Sequence, residues 1–127
     1  IAIVLAVDVS RSVWTTDAGV DEYQMQKEGI VAALTDPDTI EALQNCNAKG
    51  VALSFVEWSG GRPQESSKTL VGWTHLKTPD SMLRFAQKIK NSARAFQGDT
   101  DIAGAIEHAH KLFDKLPFVS QRNVVLL

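Results

Sequence analysis

The chain has 127 residues, of which 44% are hydrophobic and 22% charged, and carries a net charge of −2. That length fits one domain or part of one, the apolar share suffices for a core, and the near-neutral balance argues against broad nucleic-acid binding, which rests on basic patches. No apolar window approaches the roughly 18 residues of a membrane span, and the one cysteine, Cys46, excludes both an internal disulfide and a cysteine-based zinc site.

The chain opens on seven apolar residues, Ile1-Ala-Ile-Val-Leu-Ala-Val7. They read as a strand buried on both faces. There is no initiator Met and the chain starts in mid-strand, which leaves room for a removed leader or an earlier segment. Asp8-Val9-Ser10-Arg11-Ser12 follows directly, and residues 11–20 are polar and read as a loop. A helix is expected from about Asp21, where Asp21 and Glu22 suit the positive helix end. Tyr23, Ile30 and Leu34 fall at helical spacing there, with Val31 and Ala33 adding apolar surface. Asp36-Pro37-Asp38 interrupts it, and Pro37 fits the first position of a short helix through Leu43. Residues 44–50 form a turn-rich connector.

Residues 51–58 are the second strand, Ser59-Gly60-Gly61-Arg62-Pro63 breaks it, and residues 69–73 are the third. The gap between these strands has turn chemistry and no helical pattern, whereas a parallel pair needs a crossover of about a dozen residues or more. The two are therefore expected to form an antiparallel hairpin, with the third strand at a sheet edge. Thr78 and Pro79 start a helix whose apolar residues are Leu83, Ala86, Ile89 and Ala93. A further helix follows Gln97-Gly98-Asp99-Thr100, with Ile102, Ile106, Ala109, Phe113 and Leu116 on its apolar face and Pro117 at its end. Residues 122–127 begin another buried strand. The order β-α-β-β-α-α-β implies a three-layer α/β fold with a mostly parallel sheet.

Two stretches carry oxygen chemistry. In extended backbone, alternate residues point the same way, so Asp8, Ser10 and Ser12 can converge at the end of the first strand. That is where ligands bind in open α/β sheets, and hard oxygens are what a magnesium-type cation needs. The bland alternative is that Asp8 caps a turn and the serines satisfy loop backbone. In Gly98-Asp99-Thr100-Asp101, Thr100 either caps the following helix or lends its hydroxyl to a cation as a fourth oxygen.

Together, Asp8-Val-Ser-Arg-Ser12 after a hydrophobic strand and Gly98-Asp-Thr-Asp-Ile-Ala-Gly-Ala-Ile106 resemble a von Willebrand factor type A (VWA) domain, the fold shared with integrin I domains. The wider pattern is similar to a bacterial VWA-like family of unknown function, through Gln26-Lys-Glu-Gly29, Ala33-Leu-Thr-Asp-Pro37, Val56-Glu-Trp-Ser-Gly60, Gly72-Trp-Thr74 and Arg122-Asn-Val-Val125. The resemblance implies a doubly wound, Rossmann-like α/β fold with one antiparallel edge strand and sheet order 3-2-1-4-5-6. Residues 1–127 would then be a single domain holding roughly the N-terminal half to two-thirds of that sheet. It also implies a metal-ion-dependent adhesion site (MIDAS) whose ligands here would be Asp8, Ser10, Ser12 and Thr100. The expected ion is Mg²⁺, or Mn²⁺ or Ca²⁺, and the expected partner is a protein that presents an Asp or Glu to it. A third-loop Asp of such a site would follow the last strand, beyond Leu127. An exported location is implied in the same way. The segment 14–20 is longer than the usual turn after the motif and is placed to cover the metal face, with Asp17 either near the ion or a solvated loop acid.

Other residues admit two readings each. Glu57 and Ser59 either support the ligands from the neighbouring strand or serve the hairpin. Trp14 and Trp58 either anchor a partner or are partly core. His108 and His110, two apart on a helix, cannot chelate one metal and are expected to be solvated. His75 is expected in a loop without a partner, and Cys46 as an inert thiol. Three function classes follow. The first is a cation-dependent protein-binding module. The second is an enzyme; a haloacid-type phosphotransferase would need a second Asp where Ser10 stands, and neither a Gly-x-Ser-x-Gly turn nor a glycine-rich phosphate loop is present. The third is a VWA-like interaction domain that works without metal.

Overall fold

The computed structural model describes residues 1–13, 19, 21–46, 50–60, 67–95 and 97–127, apart from the Cys46 side chain. Strand β1 (Ala2–Asp8) and strand β2 (Val51–Trp58) pair in parallel, from Ala2 opposite Ala52 to Asp8 opposite Trp58. Consecutive apolar residues suit such strands because both faces are covered. Val4 and Ala6 go to one side of β1 and Val7 to the other, and every residue of β2 is buried.

Helix α1 (Glu22–Thr35) starts where Asp21 accepts from the Gln24 backbone N–H at 3.0 Å. Helix α2 (Pro37–Cys46) starts at its proline, with Asp36 accepting from the backbone of Asp38 and Thr39. It runs past the expected end at Leu43. Strand β3 (Ser67–Leu76) is longer than the expected 69–73 at both ends and pairs antiparallel with β2. Helix α3 (Pro79–Asn91) opens with a capping box between Thr78 and Ser81. Helix α4 (Ile102–Asp114) and strand β4 (Asn123–Leu126) complete the described elements. The sheet order is β3-β2-β1-β4, with β4 parallel to β1. This is the expected α/β architecture: three parallel strands and one antiparallel edge strand, β3.

One face of the sheet packs Val7, Leu53 and Phe55 against Tyr23 and Leu34 of α1 and Met82, Phe85, Ala86 and Ile89 of α3. The other packs Val4, Ala6, Val56 and Trp58 against Ala105 and Ala109 of α4. Helices thus lie on both faces, α1 and α3 on one and α4 on the other.

Two helix faces differ from expectation. In α3, Leu83 is 46% exposed and Ala93 lies exposed beyond the helix end, while Met82 and Phe85 are inside. Both rows satisfy a period of about 3.6 residues, and the bulkier one faces the sheet. In α4, Ile102 and Ile106 are 52% and 49% exposed, while Ala105 is buried together with the expected Ala109. Small residues let the helix approach the sheet closely beside the large ring of Trp58. His75, expected in a loop, stands in β3 with its ring 4.7 Å from that of Phe118.

Candidate metal centre

The end of β1 is held by Val9, whose N–H donates to the Trp58 carbonyl at 2.8 Å. The ladder stops there because the next N–H, that of Ser10, turns to Asp8 Oδ1 at 2.7 Å. A carboxylate two residues back offers the backbone a tight alternative to the ladder. The turn brings Ser10 Oγ and Ser12 Oγ to 3.0 Å from each other. The one-turn 3₁₀ helix Arg11–Val13 follows, closed by Val13 N–H on the Ser10 carbonyl at 3.2 Å. Ser10 is buried, Asp8 half-buried and Ser12 exposed, so this group of oxygens leads from the sheet end out to solvent.

A second loop is drawn to the same place. The Arg11 N–H donates to the Gly98 carbonyl at 2.9 Å, and Gly60 and Asp99 exchange backbone hydrogen bonds. Glycine is required at 98, since a Cβ would stand 2.0 Å from the Gly60 carbonyl oxygen. Thr100 comes next and is exposed. It does not cap α4: Asp101 does, accepting from the Gly104 N–H at 2.8 Å. Thr100 makes no hydrogen bond to Asp8, Ser10 or Ser12, but its loop is fastened to theirs just before it, by Arg11–Gly98, and to the end of β2 by Gly60–Asp99. Among the described residues no three His, Cys, Asp or Glu side chains gather around one point.

Beneath the loop lies a polar cluster that the sequence does not announce: Glu57 reads there only as a support for the ligands or the hairpin, and Tyr23 only as part of the apolar row of α1. Glu57 is fully buried; Oε1 accepts from the Tyr23 hydroxyl and Oε2 from the Ala95 N–H at 2.8 Å. Lys27, also buried, donates from Nζ to the Ser92 carbonyl at 2.5 Å and stands 5.4 Å from the Tyr23 ring centre. The Arg94 guanidinium lies 5.1 Å from the same ring and donates from Nη2 to the carbonyls of Val9 and Ser10. Burial first, and then the bond to Glu57, raise the Tyr23 phenol above its ordinary value. The available signal was a lysine in the apolar row of α1 and a glutamate in an otherwise buried strand.

The remaining candidates sort plainly. Trp58 is core, its indole N–H on the Ala6 carbonyl at 3.3 Å. Glu57 makes no hydrogen bond to Asp8, Ser10 or Ser12. Ser59 is fully buried, and its hydroxyl has no partner among the described residues. His108 is not solvated: it is half-buried, bonded to Thr69 Oγ1 at 2.9 Å, and held below the usual histidine value by burial and then by Lys111 and Lys115. His110 is exposed as expected. Trp14, Asp17 and the rest of the expected covering segment, apart from Gly19, lie outside the described residues, as does the Cys46 side chain. Among the described residues no helix is long and apolar enough to cross a membrane.

Solved structures with this fold are VWA domains and proteins that contain them. The chain is similar to the pilus adhesin SpaC from Lactobacillus rhamnosus GG, with 16% identity and a TM-score of 0.66 over 100% of this chain and 15% of that one. It is similar to proximal thread matrix protein 1 from the mussel byssus, with 19% identity and a TM-score of 0.68 over 98% and 29%. A structure of that byssus protein with a zinc-occupied MIDAS motif aligns with a TM-score of 0.55, 16% identity, and coverage of 98% and 27%. The SpRpn10 VWA domain aligns at 14% identity and a TM-score of 0.60 over 99% and 58%. The chain therefore spans 15% to 58% of the lengths of these chains. Likeness at such identities establishes the fold, that of a VWA domain. No curated protein matches the sequence. All of residues 1–127 match the family described as "Protein of unknown function (DUF1194)", and the chain belongs to that family.

Proposed function

We propose that this domain is a protein-binding module in which Asp8, Ser10, Ser12 and Thr100 hold a divalent cation, Mg²⁺ or alternatively Mn²⁺ or Ca²⁺, for an Asp or Glu of a partner. The observation that carries the reading is the convergence of the Ser10 and Ser12 hydroxyls, 3.0 Å apart, beside the Asp8 carboxylate. They meet at the carboxyl end of β1, between β2 and β4, where helices pass from one face of the sheet to the other. Such a switch point is the usual ligand site in open α/β sheets. The donor set fits the ion: all four are hard oxygens, which favour magnesium-type cations over soft metals. Asp8 Oδ1 is engaged by the Ser10 N–H, and Oδ2 has no hydrogen bond among the described residues. With Asp101 capping α4, the Thr100 hydroxyl has no structural duty there.

Asp8 brings the single full negative charge and the three hydroxyls bring none. A cation bound to such a set keeps most of its positive charge toward an incoming carboxylate. The chain's own contribution is to fix these oxygens on two loops fastened to each other by Arg11–Gly98, the second also tied to the end of β2 by Gly60–Asp99. The zinc-occupied MIDAS motif of the byssus protein and the adhesin role of the pilus protein support this reading by likeness of fold. The same likeness supports an exported location, and a binding module in preference to an enzyme.

Thermal unfolding of the intact protein in chelator, Mg²⁺ and Mn²⁺ tests the proposal. A cation at a hundred times its dissociation constant is expected to add about 2.7 kcal/mol of stability, and Asp8→Ala to abolish the gain. An unchanged midpoint in the wild type would leave an interaction domain that acts without metal.

A further inference from the structure

Four charged or aromatic side chains, Tyr23, Lys27 and Glu57 buried and Arg94 half-buried, stand under the Asp8–Ser12 loop although an apolar core would need none of them. Burying a Lys and a Glu costs free energy that good pairing at best offsets, and apolar replacements are often as stable. What this cluster holds is one segment, residues 92–95. Lys27 of α1 fixes the Ser92 carbonyl, and Glu57 of β2 fixes the Ala95 N–H. Tyr23 closes the group by donating to Glu57 and by lying under both Lys27 and Arg94. Between the two fixed points stands Arg94, whose guanidinium bonds the carbonyls of Val9 and Ser10. Those carbonyls belong to the Val9–Ser10 and Ser10–Arg11 peptide links, which lie between Asp8 and Ser12.

We infer that Arg94 is a positioning residue of the cation site, setting the separation of the Asp8, Ser10 and Ser12 oxygens through the backbone, and that Tyr23, Lys27 and Glu57 hold Arg94 in that position. The inference rests on the cation reading above. It makes helix α1, which carries no proposed ligand, a determinant of cation affinity. A rigid planar fork suits the task, because one guanidinium can serve two carbonyls in a fixed geometry that an ammonium does not reproduce.

The test is Mn²⁺ affinity by titration calorimetry on the intact protein at a temperature where near-ultraviolet circular dichroism shows every variant folded. Arg94→Ala is expected to bind at least about tenfold more weakly, as for residues that orient metal ligands. Tyr23→Phe should fall between it and the wild type, and Arg94→Lys should recover part of the loss. Ile89→Val, which loosens the same core face but removes no polar group of the cluster, should bind as the wild type does. Wild-type affinity in Arg94→Ala, or an equal loss in Ile89→Val, overturns the inference alone. A wild type that binds no Mn²⁺ overturns the cation reading and this inference together. If Arg94→Ala does not fold, Arg94→Lys and Tyr23→Phe decide: weakened binding supports the inference and unchanged binding overturns it.

Discussion

Position 98 admits no side chain. A Cβ there would lie 2.0 Å from the Gly60 carbonyl oxygen and 2.7 Å from Ser59 Oγ, and backbone on that side cannot yield as a flexible side chain can. Gly98→Ala must part the Gly60–Asp99 bridge or shift the loop carrying Thr100. Its expected cost is about 3 kcal/mol, the upper end for forced overpacking, read from denaturant unfolding. Cation binding should weaken with it. The residues legible in advance were those whose chemistry is local. Asp8, Ser10 and Ser12 stand two apart on an extended segment, and the structure does bring the two hydroxyls together. Arg94 was not legible, because its partners Val9 and Ser10 are 85 and 84 positions away, and Lys27 reaches across 65. Thr100 was legible only as a choice between capping and ligation, and the neighbouring Asp101 removes the first.

At the scale of the element, boundaries followed sequence where a chemical stop was present. β2 ends at Trp58 before Ser59 and Gly60, α2 starts at Pro37, and α3 starts behind the Thr78 cap. Without such a stop they ran on, as in the Cys46 end of α2 and both ends of β3. Helix faces were less legible, since periodicity gives the spacing of a row but not which of two adjacent rows is inside. In α3 this makes a sharp contrast. Phe85→Ala should cost about 3–5 kcal/mol as a core truncation, whereas Leu83→Ala, at a half-exposed position, should cost less than about 1 kcal/mol. Equal losses on urea unfolding would mean that the helix is rotated from the orientation described.

At the scale of the whole molecule, the hairpin and the edge position of β3 were readable from one number, the length of the gap between β2 and β3, because a parallel return needs a crossover, whereas the rest of the order β3-β2-β1-β4 was implied only by the family resemblance. What no pattern in the chain announced is that α1, β2, the segment after α3 and the end of β1 meet in one buried polar cluster. That meeting gives the molecule an optical signature. Tyr23 is the only tyrosine in the chain, and its phenol is pushed up by burial and by Glu57 from an ordinary value of 10.0. A group whose value is raised on folding contributes stability that is fully present below the unfolded value and is lost as pH rises above it. In alkaline titration the native protein should therefore show no phenolate absorbance near pH 10, where the urea-unfolded chain ionises. As the pH is raised further, the ultraviolet band of the phenolate should appear together with the loss of circular dichroism. A native-state phenolate signal near pH 10 with the dichroism intact would mean that the ring is open to water. One intrinsic chromophore thus reports, with no added label, on the seam that ties the sheet and one of its helical layers to the loop at the end of its first strand.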